Sequence, residues 1–196
     1  MLITKLEESG KSKVKVYIDN EYYFILYHKD LMIYQLAENE IIPDAVYQDI
    51  YKNTVLRRAK QKGLAILKFM DRTEQELALK LKQADYTDSI ISEVIAYIKS
   101  YHYIDDERYA VNYIRSRKDS KSKRQIYAEL IQKGIEKMYI EQAFCEEYED
   151  EEEAIRKAIG KKTKDISSMT EEEKMKLTSS LYRKGFPLDL IKKYIS

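Results

Sequence analysis

The sequence predicts a mainly α-helical fold, three tandem three-helix repeats behind a small N-terminal β-hairpin. Charged residues make up 35% of the chain against five glycines and two prolines, which suits helices with broad solvated faces and disfavours an all-β chain. Apolar residues recur in register at long period, and helix start and stop signals fall at matching places in successive copies. Four segments follow: 1–42 for the hairpin extension, then repeats over 43–104, 105–148 and 149–196.

The hairpin is read from two β-prone runs, Lys13-Val14-Lys15-Val16-Tyr17-Ile18 and Glu21-Tyr22-Tyr23-Phe24-Ile25-Leu26, around Asp19-Asn20, two residues that tolerate positive φ. With a two-residue loop, Val16 faces Tyr23 and Val14 faces Ile25, and these share one apolar side with Ile18. Such a hairpin is marginal alone, so that side must rest on something. Asp30 is placed to cap a short helix through Leu36, and Pro43-Asp44 opens a longer helical stretch ending near Met70.

From there the chain repeats itself. Leu77, Ile126 and Leu177 fall in one column, and Leu81, Leu130 and Leu181 in the next. Tyr86, Ile135 and Phe186 follow, then Ile91, Ile140 and Ile191, with Val94, Ala143, Tyr194 and Ile95, Phe144, Ile195 closing the register. The offsets are 49 and 51 residues throughout. Thr73 with Glu76, and Ser122 with Gln125, have capping-box spacing, so each starts a helix at the same repeat position. Gly134 and Gly185 lie where a left-handed C′ residue ends those helices, the next apolar side chain folding back on the preceding leucine. A further helix precedes each such pair: Pro43–Met70, Asp106–Lys118 and Asp150–Lys164.

Composition also narrows function. Thirty-five basic against 34 acidic residues give a net charge of +1, so a charged partner must be met by a local patch. Cys145, the single cysteine, is read as a small buried hydrophobe, and a reducing cytoplasm fits. No apolar run reaches the length of a membrane span and no signal peptide is evident, so neither a membrane nor an export route is expected.

Several motifs resemble those of the RecX family, modulators of the RecA recombinase. They are Arg72-Thr73-Glu74-Gln75-Glu76-Leu77, Tyr103-Ile104-Asp105-Asp106-Glu107-Arg108-Tyr109-Ala110, Ile126 to Leu130 with Lys133-Gly134-Ile135, and Leu181 through Gly185-Phe186. The hairpin is similar to an extension carried by some members. Two positions depart from the pattern: Lys121-Ser122-Lys123 stands where a glycine is usual, and Asp85 replaces the glycine of the first helix stop. The resemblance implies an elongated, curved body binding in the groove of the RecA–DNA filament and changing RecA ATPase and strand exchange. Weak affinity for single- or double-stranded DNA is expected beside it, with no cofactor and no small-molecule substrate.

An enzyme is the least supported class, because nucleophilic catalysis needs converging groups and the only histidines, His28 and His102, stand far apart in sequence from Cys145. Asp105-Asp106-Glu107 is the best metal-like cluster, yet capping the following helix explains it better. The acidic run from Glu146 to Glu153 likewise reads as a solvated helix start. Cations carry the functional expectation. Arg115, Arg117, Lys118, Lys121, Lys123 and Arg124 crowd the junction of two helices. Arg57, Arg58, Lys60 and Lys62 form a second cluster, Lys161, Lys162 and Lys164 a third, and Arg183, Lys184, Lys192 and Lys193 a fourth. Arg57, Arg58, Arg72, Arg115, Arg117, Lys118, Lys121, Lys123, Arg124, Arg183 and Lys184 are therefore the candidate partner- or DNA-binding residues. Tyr97, Tyr101, Tyr103, Tyr109 and Tyr113 could stack on bases, though their helical spacing favours packing. The competing reading is a helix-turn-helix-like nucleic-acid-binding protein acting without RecA.

Overall fold

A computed structural model describes residues 1–195. The chain forms two compact units, Met1–Ile104 and Asp105–Ser196.

The first unit opens with a three-stranded antiparallel sheet, β1 (Ile3–Ser9), β2 (Lys13–Ile18) and β3 (Glu21–Tyr27), in that order. The expected hairpin is β2–β3, and its loop residues Asp19 and Asn20 both have positive φ, 49° and 70°. Its register differs from the simple reading. Tyr17 pairs with Tyr22 but Val16 pairs with Phe24, so Tyr23 is an extra residue that shifts the strand by one. Phe24 and Leu26, rather than Tyr23 and Ile25, therefore join Val14, Val16 and Ile18 inside. A second bulge at Thr4 lets Ile3 and Leu6 both pack inward despite their odd separation.

Helix α1 (His28–Tyr34) follows directly. Asp30 is not its cap but its third residue, and its carboxylate accepts the backbone N–H of Tyr27 at 2.8 Å. Then α2 (Asp44–Asp49), a π-helical stretch (Ile50–Leu56) and α3 (Arg57–Leu67) form one continuous run, followed by α4 (Glu74–Lys82) and α5 (Asp88–Ser100). The sheet does not stand apart from these helices. Ile3, Val16, Ile18, Phe24 and Leu26 share a single core with Ile50, Leu77, Leu81, Ile90 and Ile98. At ~25 cal/mol per Å² of apolar surface, this shared burial is what stabilises a sheet too small to persist alone. Gly63 on α3 allows close approach to α5, since a β-carbon there would lie 2.7 Å from Ile98 Cδ1.

The second unit holds α6 (Asp106–Arg117), α7 (Lys123–Gln132), α8 (Lys137–Glu147), α9 (Glu152–Gly160), α10 (Glu171–Arg183) and α11 (Leu188–Ile195). It has two cores, one around Ile114, Ile126, Leu130 and Ile140, the other around Ile155, Leu181, Phe186 and Ile191. The repeat register holds: every residue of the six columns is buried except Tyr86 and Tyr194, which are half-buried.

The stops hold as well. Gly134 and Gly185 have φ of 83° and 91°, and the N–H groups of Ile135 and Phe186 reach back to the carbonyls of Leu130 and Leu181. Asp85 occupies the equivalent place with φ 67°. Helix α10 begins one turn earlier than its counterparts, with Thr170 and Glu173 forming a reciprocal capping box like that of Thr73 and Glu76. Cys145 is exposed, not buried: Ala143 and Phe144 occupy the inner face of α8, and the next residue turns out to solvent.

Candidate functional site

The junction of the second and third repeats is built around Ser122. As N-cap of α7 its Oγ accepts the N–H of Gln125 at 3.1 Å and donates to the carbonyl of Lys184 at 2.5 Å. Gln125 does not complete a capping box, because its amide turns to Glu129 instead. Gly185 lies so close that a β-carbon there would stand 2.9 Å from both Arg124 Cβ and Ser122 Oγ. The start of α7 is thus pinned to the end of α10, and a second tie joins the Lys123 N–H to Glu151 Oε1 at 2.6 Å.

Pinning brings together cations that lie far apart in the chain. Arg124, Arg183 and Lys184 line an open groove of about 540 Å³ with Gln125, Ala128, Tyr182 and Gly185, and no carboxylate is among the lining residues. The side chains of Arg124 and Lys184 have no ion-pair partner among the described residues, and Arg183 makes only a long contact to the Ser179 carbonyl. Tyr182 is half exposed beside them.

The remaining cations of the middle cluster are held by neighbours. Arg115 makes a two-point ion pair with Glu147, at 2.6 and 3.0 Å, and Lys118 donates to the Glu147 carbonyl. Lys121 grips Glu129 at 2.6 Å. Burial works against ionisation of Glu129, but Lys121 and the hydroxyl of Tyr113 outweigh it and hold its carboxyl below the usual range. Lys123 lies over the rings of Phe144 and Tyr148, and Arg117 beside the ring of Tyr113.

In the first unit Arg58 is committed to Asp30 through two hydrogen bonds of 2.5 and 2.8 Å, with its guanidinium 5.0 Å from the Tyr27 ring. Asp30 is only 3% exposed. Burial disfavours its charge, yet Arg58 and the Tyr27 N–H keep its carboxyl below the ordinary value. Arg72 is half-buried, 3.9 Å from Glu76, and Arg57 is exposed. Lys60 lies 4.1 Å from the centroid of Tyr97. The tyrosines mostly pack on one another, Tyr97 on Tyr101 and Tyr109 on Tyr113, while Tyr101 and Tyr103 stay exposed.

Asp105 accepts the N–H of Arg108 as N-cap of α6, as expected. The acidic run is less idle than a solvated helix start. Glu147 holds Arg115, Glu151 holds the Lys123 amide, and Glu152 meets Lys193, Tyr194 and Arg156, which bring its carboxyl down to about 2. The sequence left the Arg124–Arg183–Lys184 groove as two separate clusters. Its only advance signal was that Ser122 and Gly185 mark a helix start and a helix stop in consecutive repeats.

Among the described residues no helix is long and apolar enough to cross a membrane. Three family models match in order: the first three-helix domain of RecX over residues 59–97, the second over 105–143 and the third over 149–195. The chain is 32% identical to the regulatory protein RecX of Clostridium acetobutylicum over 94% of its own length and 90% of the relative's. It is also 32% identical to the RecX of Caldanaerobacter subterraneus subsp. tengcongensis, covering 100% and 99%. A crystal structure of a regulatory protein RecX shares the fold, with a TM-score of 0.66 at 24% identity over 99% of this chain and 98% of that one. The structure of RecX from Lactobacillus salivarius gives 0.59 at 27% identity over 70% and 92%. With all three domains present in order on this helical scaffold, the chain belongs to the RecX family of regulatory proteins.

Proposed function

We propose that this protein regulates the RecA recombinase by binding the RecA–DNA filament and changing its ATPase and strand-exchange activity. Membership of a family of regulatory proteins supports the reading, and so does the groove at the repeat junction, where Arg124, Arg183 and Lys184 remain uncompensated on a nearly neutral molecule. A filament offers repeated anionic surface, and a ligand that binds one filament state better than another shifts turnover by that difference. In this reading segments 105–148 and 149–196 supply the docking surface together.

The test is charge reversal at Arg124, Arg183 and Lys184 together, since none of these side chains holds the fold. RecA ATPase on single-stranded DNA, measured at substoichiometric amounts of regulator, is expected to lose its response while the thermal unfolding midpoint stays within a few degrees. Reversal at Lys121 is a poor probe, because a carboxylate there would face Glu129. Unchanged modulation by the folded triple variant overturns the assignment of this groove. Tight binding of DNA in the absence of RecA, abolished by the same variant, would favour a nucleic-acid-binding protein acting alone.

A further inference from the structure

The first unit contains a recess of about 130 Å³ that the groove described above does not explain. Its charged walls come from Lys13 at the start of β2, and from Arg58 and Lys62, one turn apart on the same face of α3. Tyr27 and Tyr86 complete the polar lining, and no carboxylate is among the lining residues. Asp30, which Arg58 holds, is already fully engaged, one oxygen taking a guanidinium nitrogen of Arg58 and the other the second nitrogen and the Tyr27 amide, and Asp85 lies 3.5 Å from Lys15. The guanidinium fork keeps further N–H donors. Lys13 and Lys62 have no ion-pair or hydrogen-bond partner among the described residues, and neither do the hydroxyls of Tyr27 and Tyr86. Burial raises the Tyr86 phenol, so it stays a donor at neutral pH.

Three cations, one neutralised by Asp30, leave the charge of two unanswered in a partly enclosed space. Val55, on the wall, belongs to the π-helical stretch; such local widening of a helix is uncommon and recurs at functional sites. We propose that this recess binds a dianionic phosphate group, either free phosphate and the monoester of a nucleotide or the terminal phosphate of a DNA strand. A phosphodiester inside a strand carries a single charge and continues on both sides, whereas a terminal monoester carries close to two and ends there. The volume holds a few waters' worth of ligand, enough for a phosphate and too little for the attached nucleoside, which must lie outside the mouth. Lys13, Lys62, Arg58 and the phenols of Tyr27 and Tyr86 supply charge-assisted and neutral donors around it.

The experiment uses the full chain and the double variant Lys13→Gln/Lys62→Gln, with the exposed pair Lys161→Gln/Lys162→Gln as control. Arg58 is left in place because its removal would strand the buried Asp30. Calorimetric titration with inorganic phosphate at constant ionic strength is expected to show saturable binding to the wild type and the control. The double variant, with an unchanged thermal midpoint, should bind about tenfold more weakly or worse, the scale of losing charged contacts to an anion. Parallel titrations with thymidine monophosphate against thymidine, and with a 5′-phosphorylated against a 5′-hydroxyl oligonucleotide, identify the source. Preference for the phosphorylated strand supports DNA ends, and binding confined to phosphate and monophosphate supports the small molecules. Absence of saturable phosphate binding by the wild type, or undiminished binding by the folded double variant, overturns the proposal. Neither result bears on the groove at the repeat junction.

Discussion

Ser122 carries two structural duties with one hydroxyl, capping α7 and satisfying the Lys184 carbonyl. Thr170 caps α10 at an exposed place, and among the described residues it makes no such second bond to another repeat. A lost cap costs about 1 kcal/mol, and losing the part-buried bond to the Lys184 carbonyl adds about 1 kcal/mol more. Ser122→Ala is therefore expected to lower stability more than Thr170→Ala, which urea unfolding of both variants measures. The Asp30–Arg58 pair makes the other residue-scale prediction. Breaking a buried pair costs ~3–5 kcal/mol, but Arg58 remains 25% exposed and its freed charge is partly screened, so Asp30→Asn is expected to cost about 2–3 kcal/mol. Asp30 is depressed in the folded chain, so its contribution is complete above its unfolded value of 3.8 and fades as pH falls below it. Wild-type stability, followed by circular dichroism, should therefore fall more steeply than that of Asp30→Asn as pH drops below 3.8.

At the scale of single elements, the helices were readable because caps, apolar faces and glycine stops sit within short windows of sequence. The first strand was not, since the bulge at Thr4 breaks the alternation that marks a strand, and only Ser9-Gly10 hinted at its turn. The bulge at Tyr23 hid the register of β3 for the same reason. Gly134 and Gly185 looked equivalent in the sequence. In the fold, Gly185 has Ser122 and Arg124 in the space its β-carbon would take. Placing alanine in the left-handed region costs about 1 kcal/mol at either site, and the clash adds to it at Gly185. Gly185→Ala is expected to lose more than the left-handed penalty alone, which urea unfolding measures. Asp85→Gly relieves the positive-φ strain but gives up the Lys15 contact at 3.5 Å and enlarges unfolded-state entropy. These oppose one another, and the variant is expected within about 0.5 kcal/mol of wild type.

Across the whole molecule, each compact unit has cores of its own. A fragment of residues 105–196 is expected to keep its helical circular dichroism and a cooperative thermal transition, because none of its buried columns depends on residues before 105. A fragment of 43–104 is expected to fail, since it lacks the strands that close the core around Ile50 and Leu77. The groove was beyond sequence reading for a related reason: Arg124 and Arg183 become neighbours only when two repeats dock. That docking couples positions 122 and 185 in a way no local pattern records. Removing the Ser122 hydroxyl relieves one of the contacts a β-carbon at 185 would make, while Arg124 and the positive φ remain, so the double change is expected to cost less than the sum of the single ones. To selection the two sites, more than sixty residues apart, are therefore coupled, and a change at either is weighed against the residue at the other.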